Sequence, residues 1–211
     1  MINASIFFIR RHRINVDGAG IRTLIGLSEC PLHCQYCLNP QCRREALGHM
    51  WDVKHLVEIV NIDNLYFVAT KGGVTFGGGE PGLHFQFISE FRSQCPKEWT
   101  IAIETSLNYS LGVLEELEKS IDAFIIDIKD MNPEIYKRYT GCTNEKVYKN
   151  LQYLYDSGRE KDATIRIPLL PNYNSTEDIQ NSRQLLMKMG FTNLDVIPYV
   201  EDISKIYERA I

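Results

Sequence analysis

Three cysteines, Cys30, Cys34 and Cys37, fall within the eight residues Cys30-Pro31-Leu32-His33-Cys34-Gln35-Tyr36-Cys37. That spacing lets three thiolates converge on one small inorganic object. A tetrahedral zinc takes four ligands, and an ordinary cubane cluster takes four cysteines. Three cysteines leave one iron of a [4Fe–4S] cluster without a protein ligand, and an open iron can chelate a small molecule. Two other donor sets use the same cysteines. One is a structural zinc site completed by His33 or Cys42; the other is a four-cysteine electron-transfer cluster with Cys42 as the last ligand.

The pattern C-x-x-x-C-x-aromatic-C, with Tyr36 as the aromatic, resembles the signature of the radical SAM superfamily. The flanks Asp17-Gly18-Ala19-Gly20-Ile21-Arg22-Thr23 and Leu38-Asn39-Pro40 resemble the activating enzymes of glycyl radical enzymes, the group of pyruvate formate-lyase activating enzyme. The likeness runs to about Tyr199. It implies one [4Fe–4S] cluster on Cys30, Cys34 and Cys37, with S-adenosylmethionine (SAM) on the open iron. Reductive cleavage of SAM would give a 5′-deoxyadenosyl radical, the hard chemistry being the cofactor's. The resemblance further implies a glycyl radical enzyme, or another peptide substrate, as partner and flavodoxin or ferredoxin as electron donor. Two other readings stay open: modification of a ribosomal peptide or small metabolite, and a non-catalytic iron–sulfur carrier or sensor.

The same resemblance nominates further residues. Tyr36 would shield the cluster and lie near the adenine of SAM, or simply pack in the core. Gly78-Gly79-Glu80-Pro81 resembles the family's G-G-E-P motif; Gly78 and Gly79 let backbone approach a ligand, and the Glu80 carboxylate is expected to meet the SAM ammonium. Glu104 and Thr105, with Ser106, end one strand. Asp127 and Lys129 end the next and share a face under period-two alternation. Relatives hold the methionine end and ribose of SAM at these places, some with a monovalent cation, and Lys129 is the catalytic candidate. A helix cap for Glu104 and a surface ion pair for Asp127 and Lys129 are the bland counterparts.

Arg166 lies within a run that reads as a buried strand, so its charge needs an anionic partner. That partner is either a SAM carboxylate or an acid such as Glu104 or Asp127. The segment Asp17 to Arg22 is either a tight turn feeding the first barrel strand or a docking element for the target. Cys42, Cys95 and Cys142 read as free thiols. Leu107 stands where relatives commonly have glycine, and Val200 follows Tyr199 where some have histidine. No cysteine lies between Cys42 and Lys71, so a single cluster is expected, without an inserted ferredoxin-like segment.

These residues need an α/β scaffold. Strand signals at Ile6 to Ile14, Ile21 to Leu27, Gly73 to Phe76, Thr100 to Glu104, Ile121 to Ile128, Thr164 to Leu170 and Leu194 to Ile197 alternate with helix signals. The helices are marked by Val53, Leu56, Ile59 and Val60; by Phe85, Ile88 and Phe91; by Leu111, Leu114 and Leu117; and by Val147, Leu151 and Leu154 before Gly158. Ser175 caps the last helix, which closes near Gly190. After the leading arm this gives six β/α strands, matching the incomplete TIM-like (β/α)6 barrel that the resemblance implies. The motifs fall at strand C-terminal ends, where such barrels place their active groups. One domain spans 1–211: an arm at 1–20, the partial barrel at 21–199 and a short tail at 200–211.

Composition agrees. The 211 residues are 44% hydrophobic and 24% charged, an ordinary globular balance. A net charge of −4 argues against a nucleic-acid surface, and Arg10, Arg11, His12 and Arg13 read as a solvated strand end. No apolar run approaches the roughly 20 residues of a membrane span. The leading Ile6-Phe7-Phe8-Ile9 is too short for a signal peptide. Clustered cysteines in a chain of this size indicate a reduced, cytoplasmic setting.

Overall fold

Ile21–Leu27 (β2) is apolar and β-branched, buried from Arg22 onward, and the sheet is assembled on it. In the computed structural model, which describes residues 2–43 and 48–198, β2 pairs in parallel with Gly73–Gly78 (β4). Thr100–Thr105 (β5), Ala123–Asp127 (β6), Ala163–Leu169 (β7) and Leu194–Pro198 (β8) follow in parallel order. The six expected parallel strands are therefore present. Asn3–Ile14 (β1) runs antiparallel to β2, and His49–Asp52 (β3) antiparallel to β1. The strand order is β3-β1-β2-β4-β5-β6-β7-β8, with β3 and β8 unpaired to each other, so the barrel is open.

Helices cover the outside because each buries one stripe. Val53–Val60 (α1) sinks Val53, Leu56 and Val60, with Asp52 capping it at His55 N. Asn64–Thr70 (α2) follows at once. Phe85–Gln94 (α3) buries Phe87, Ile88 and Phe91, and Leu111–Leu117 (α4) buries Leu114 and Leu117. Pro133–Thr140 (α5), Glu145–Asp156 (α6) and Thr176–Lys188 (α7) complete the set. Ser175 opens α7 with a reciprocal capping box to Asp178. Between sheet and helices, Phe67, Phe76, Phe91 and Trp99 pack largely edge to face, and Trp99 Nε1 donates to Asn64 Oδ1 at 2.7 Å.

Three elements were not expected. β3 is four residues long with Met50 exposed, too short for alternation to register. α2 leaves Leu65, Tyr66 and Val68 exposed and buries only Phe67, so it has no apolar stripe. α5 did carry a signature: Asn132 at the N-cap, Pro133 at the first helical position and a left-handed Gly141 at the end. Tyr199, Val200 and the tail lie outside the described residues. No helix among the described residues is long and apolar enough to cross a membrane.

Candidate active site

The cysteine loop leaves β2 through Glu29, held at φ +69°. The loop is fixed on both flanks. Glu29 N donates to Cys42 O at 2.7 Å, and Cys42 N to Asn39 O at 3.0 Å. On the other side His33 N donates to Thr140 O at 2.9 Å and Gln35 N to Tyr139 O at 3.2 Å. Those carbonyls belong to the last turn of α5, which has no intrahelical partners for them. The unexpected helix thus offers its open end to the cysteine loop.

The loop carries Cys30, Cys34 and Cys37 as half-buried free thiols, near enough that Cys34 acts electrostatically on Cys30 and Cys37 on Cys34. Burial pushes the Cys30 thiol up to about 12 and raises Cys34, against the opposing field of Lys129. Cys37 is lowered to about 6, chiefly by a hydrogen bond with the Cys42 thiol, which is raised in turn. The field of Lys129 reaches all three ligand candidates. Burial works to strip the Lys129 proton, but Asp127, Cys34 and Tyr139 more than offset it, so the ammonium persists.

This donor set fits an iron–sulfur cluster: three soft sulfurs on one loop, with a half-buried cation to balance thiolate charge. Among the described residues no three His, Cys, Asp or Glu side chains gather as a single metal ion requires. A cube spreads its protein sulfurs over separate irons, farther apart than ligands of one ion. The His33 ring instead meets Arg43 Nη1 at 3.2 Å, while the Cys42 thiol lies against Cys37.

At the end of β4, Gly78 has φ +87°, and a Cβ on Gly79 would lie 2.1 Å from Glu29 O. Both positions therefore need glycine. Gly79 N and Glu80 N donate to Leu27 O and Glu29 O, each at 2.8 Å, zipping this motif to the residue before Cys30. The Glu80 carboxylate is engaged by the protein itself. It points inward, 1% exposed, and accepts from Gly82 N, Thr105 Oγ1, Ser106 N and Ser106 Oγ at 2.6 to 3.2 Å. The Thr105 hydroxyl is thereby spent on Glu80 as well.

Between β5 and β7, Arg166 Nη1 donates to Glu104 Oε1 at 2.8 Å, and its other arm donates to Val16 O. The partner of this half-buried guanidinium is Glu104, one of the acids expected from sequence. Burial pushes the Glu104 carboxyl up to about 7; Arg166 pulls it down, while Asp127 and Asp17 push it further up. Below the ordinary carboxylate value of 4.5 the group is protonated folded or unfolded. Its stabilising contribution is lost as pH rises from there through about 7. Carbon-detected NMR titration of the metal-free protein should place this carboxyl's midpoint near 7, and Arg166→Met should raise it further. A midpoint at the ordinary carboxylate value would contradict the geometry.

Lys129 Nζ lies 3.3 Å from Asp127 Oδ2, so the two strand-end residues do share a face. Tyr36 packs against Tyr139 and Tyr173, with ring centroids 6.2 and 5.7 Å away. Asn172 Nδ2 reaches its hydroxyl at 3.4 Å. Tyr139, Asn172 and Tyr173 went unnoticed in the sequence; only the overlooked α5 boundary pointed toward Tyr139. Asn174 holds their loop, accepting from Leu170 N at 2.6 Å and donating to Asp130 Oδ2 at 3.0 Å.

Leu107, the residue in place of glycine, has φ +57° and is fully buried. Glycine would relieve about 1 kcal/mol of left-handed strain but forfeit about 3 kcal/mol of packing. Leu107→Gly should therefore lower stability by about 2 kcal/mol, readable by calorimetry as a fall in Tm. A rise in Tm would show that strain dominates.

The comparisons with known proteins agree with this geometry. The chain is 29% identical to the (2S)-3-sulfopropanediol dehydratase activating enzyme of Klebsiella oxytoca, over 80% of this chain and 72% of that protein. It is 27% identical to the 4-hydroxyphenylacetate decarboxylase activating enzyme of Clostridioides difficile (strain CD196), over 94% and 82% respectively. Its fold matches Streptococcus suis SuiB bound to S-adenosylmethionine with TM-score 0.63 and 19% identity, covering 83% of this chain and 39% of that larger one. The Radical SAM superfamily model matches residues 25–186, from the strand before the cysteines into α7, and the chain therefore belongs to that superfamily.

Proposed function

We infer that this chain activates a glycyl radical enzyme, removing a hydrogen atom from the Cα of one glycine in that partner. The reading is carried by one observation: relatives named as activating enzymes match along most of their own length as well as this chain's. Bound together, a [4Fe–4S] cluster and SAM would supply one-electron reductive cleavage of the sulfonium. Cys30, Cys34 and Cys37 would hold the cluster, and Lys129 would keep a positive charge beside it.

Gly78 and Gly79 let the β4 end lie directly against the backbone that leads into Cys30. Asp127, Lys129, Glu104 and Arg166 present paired charges suited to the amino, carboxylate and ribose groups of SAM. Tyr36, with Tyr139 and Tyr173, offers aromatic surface for the adenine. Glycine suits this chemistry because it lacks a side chain to obstruct the barrel and its Cα radical delocalises over two amides. One electron per turnover comes from a low-potential donor of the flavodoxin or ferredoxin type.

The test is anaerobic reconstitution with iron and sulfide, then SAM, dithionite and the glycyl radical enzymes of the same genome. The expected result is 5′-deoxyadenosine together with a glycyl doublet by EPR. 5′-Deoxyadenosine without the doublet would remove the activase role and leave SAM cleavage standing.

A further inference from the structure

Glu80 holds two parts of the barrel end at once. Its backbone N–H reaches Glu29 O at 2.8 Å, one residue before Cys30. Its carboxylate reaches the far end of β5. We propose that this carboxylate is a positioning group and not a SAM ligand: an internal anion around which residues 105–109 fold, fixing the ends of β4 and β5 against the cysteine loop. The inference deepens the reading above, on which it rests for SAM affinity but not for the behaviour of the metal-free protein.

A carboxylate offers about four lone-pair sites, and here four donors fill them. Oε1 accepts from Thr105 Oγ1 at 2.6 Å and Gly82 N at 3.2 Å; Oε2 accepts from Ser106 N at 2.9 Å and Ser106 Oγ at 2.6 Å. A ligand ammonium would have to displace one of them, in a place 1% exposed. The donors are themselves committed onward. Thr105 Oγ1 accepts from Leu107 N at 2.9 Å and Ser106 Oγ from Asn108 N at 3.3 Å.

Asn108 Nδ2 then donates to Tyr136 Oη, and Asn150 Nδ2 to Leu107 O and Tyr109 O. The left-handed Leu107 is the bend this wrapping requires. Tyr109 closes the other side, its ring so close that a Cβ on Gly82 would sit 2.3 Å from it. Charge-assisted bonds of this kind are about twice as strong as neutral ones, which suits an anion serving as a template.

The experiment is a double-mutant cycle of Glu80→Gln and Ser106→Ala, with Thr105→Ser as the conservative variant that keeps the hydroxyl. Two quantities are read: Tm of the metal-free protein, and the Kd for SAM of the reconstituted protein by anaerobic calorimetry. Glu80→Gln turns an acceptor into a donor facing Ser106 N–H. It and Ser106→Ala should each lower Tm and each weaken SAM, by about 10-fold as outer-shell partners do. The double variant should be no worse than the worse single, and Thr105→Ser should stay near wild type. Should Glu80→Gln not fold, Ser106→Ala and Thr105→Val carry the same comparison.

An unchanged Tm with SAM binding lost only in Glu80→Gln would make the carboxylate a direct ligand and overturn the proposal. Additive effects in the cycle, or a Tm loss with SAM affinity intact, would overturn it too. Were the wild-type protein to bind no SAM, the functional reading would fail, while the Tm cycle would still decide whether Glu80 organises residues 105–109.

Discussion

Cys34→Ala should leave the reconstituted protein without its cluster chromophore and cut 5′-deoxyadenosine formation by more than about 100-fold. The reason is geometric as well as chemical. Cys34 sits between the two α5 anchors of the loop, His33 N to Thr140 O and Gln35 N to Tyr139 O, so no neighbouring sulfur can swing into its place without breaking one of them. Loss of an outer-shell partner typically costs 10- to 100-fold; loss of one of the three proposed ligands must exceed that. Cys30→Ala and Cys37→Ala should behave alike.

Cys42→Ala is the informative control. Cys42 is 1% exposed and its thiol hydrogen-bonds Cys37, which makes it the natural fourth ligand in the electron-carrier reading. If the cluster needs only three cysteines, Cys42→Ala should retain its iron and its SAM-dependent EPR change. Loss of iron in Cys42→Ala but not in Cys34→Ala would reverse the assignment. Iron content is measured on the resting protein and EPR on the dithionite-reduced protein, so neither outcome depends on finding the partner.

The sequence made some of this site plain and hid the rest, for physical reasons that differ by residue. The cysteines and Gly78–Glu80 are contiguous, and short-range spacing is visible in one dimension. The parallel strands were legible because buried strands are dense in apolar and β-branched residues, as in Ile101, Ile103, Phe124, Ile125 and Ile126. Partner choice was not. Arg166 announced a need for an anion, but whether Glu104 or Asp127 met it depends on which side chain reaches across the barrel. Glu80 shows the limit most sharply. A carboxylate in a ligand-binding motif reads as a ligand contact, and only its four donors, drawn mostly from a strand end 25 residues away, reveal its engagement with protein.

Arg22→Met should lower Tm of the metal-free protein by roughly 10 °C, a larger loss than any other single substitution considered. Arg22 belongs to the Asp17-to-Arg22 segment, for which sequence allowed either a structural turn or a docking element. The geometry favours the former. The side chain is 2% exposed, and each of its five N–H groups finds an oxygen. Nε donates to Thr75 Oγ1 at 2.6 Å, Nη1 to Thr100 Oγ1 at 2.8 Å and Ala19 O at 3.3 Å, and Nη2 to Thr100 O at 3.0 Å and to Val74 O. One guanidinium thus bolts β2, β4 and β5 together at their N-terminal ends and holds the turn that precedes them.

The glycines of that turn fit the same purpose: Gly18, at φ +118°, lies against the Arg22 side chain, and a Cβ on Gly20 would sit 2.6 Å from Thr70 O. Removing the guanidinium strands several buried oxygens, each costing about 1–3 kcal/mol when left unpaired. Allowing for relaxation, the total is about 3–5 kcal/mol, and for a domain of this size each kcal/mol moves Tm by about 2–4 °C. Arg22→Lys should recover little, because three donors on a flexible stem cannot replace a five-donor planar fork. A docking role makes the opposite forecast: Tm unchanged in both variants, with glycyl radical formation lost while 5′-deoxyadenosine formation continues. Thermal unfolding followed by circular dichroism separates the two before any partner is added.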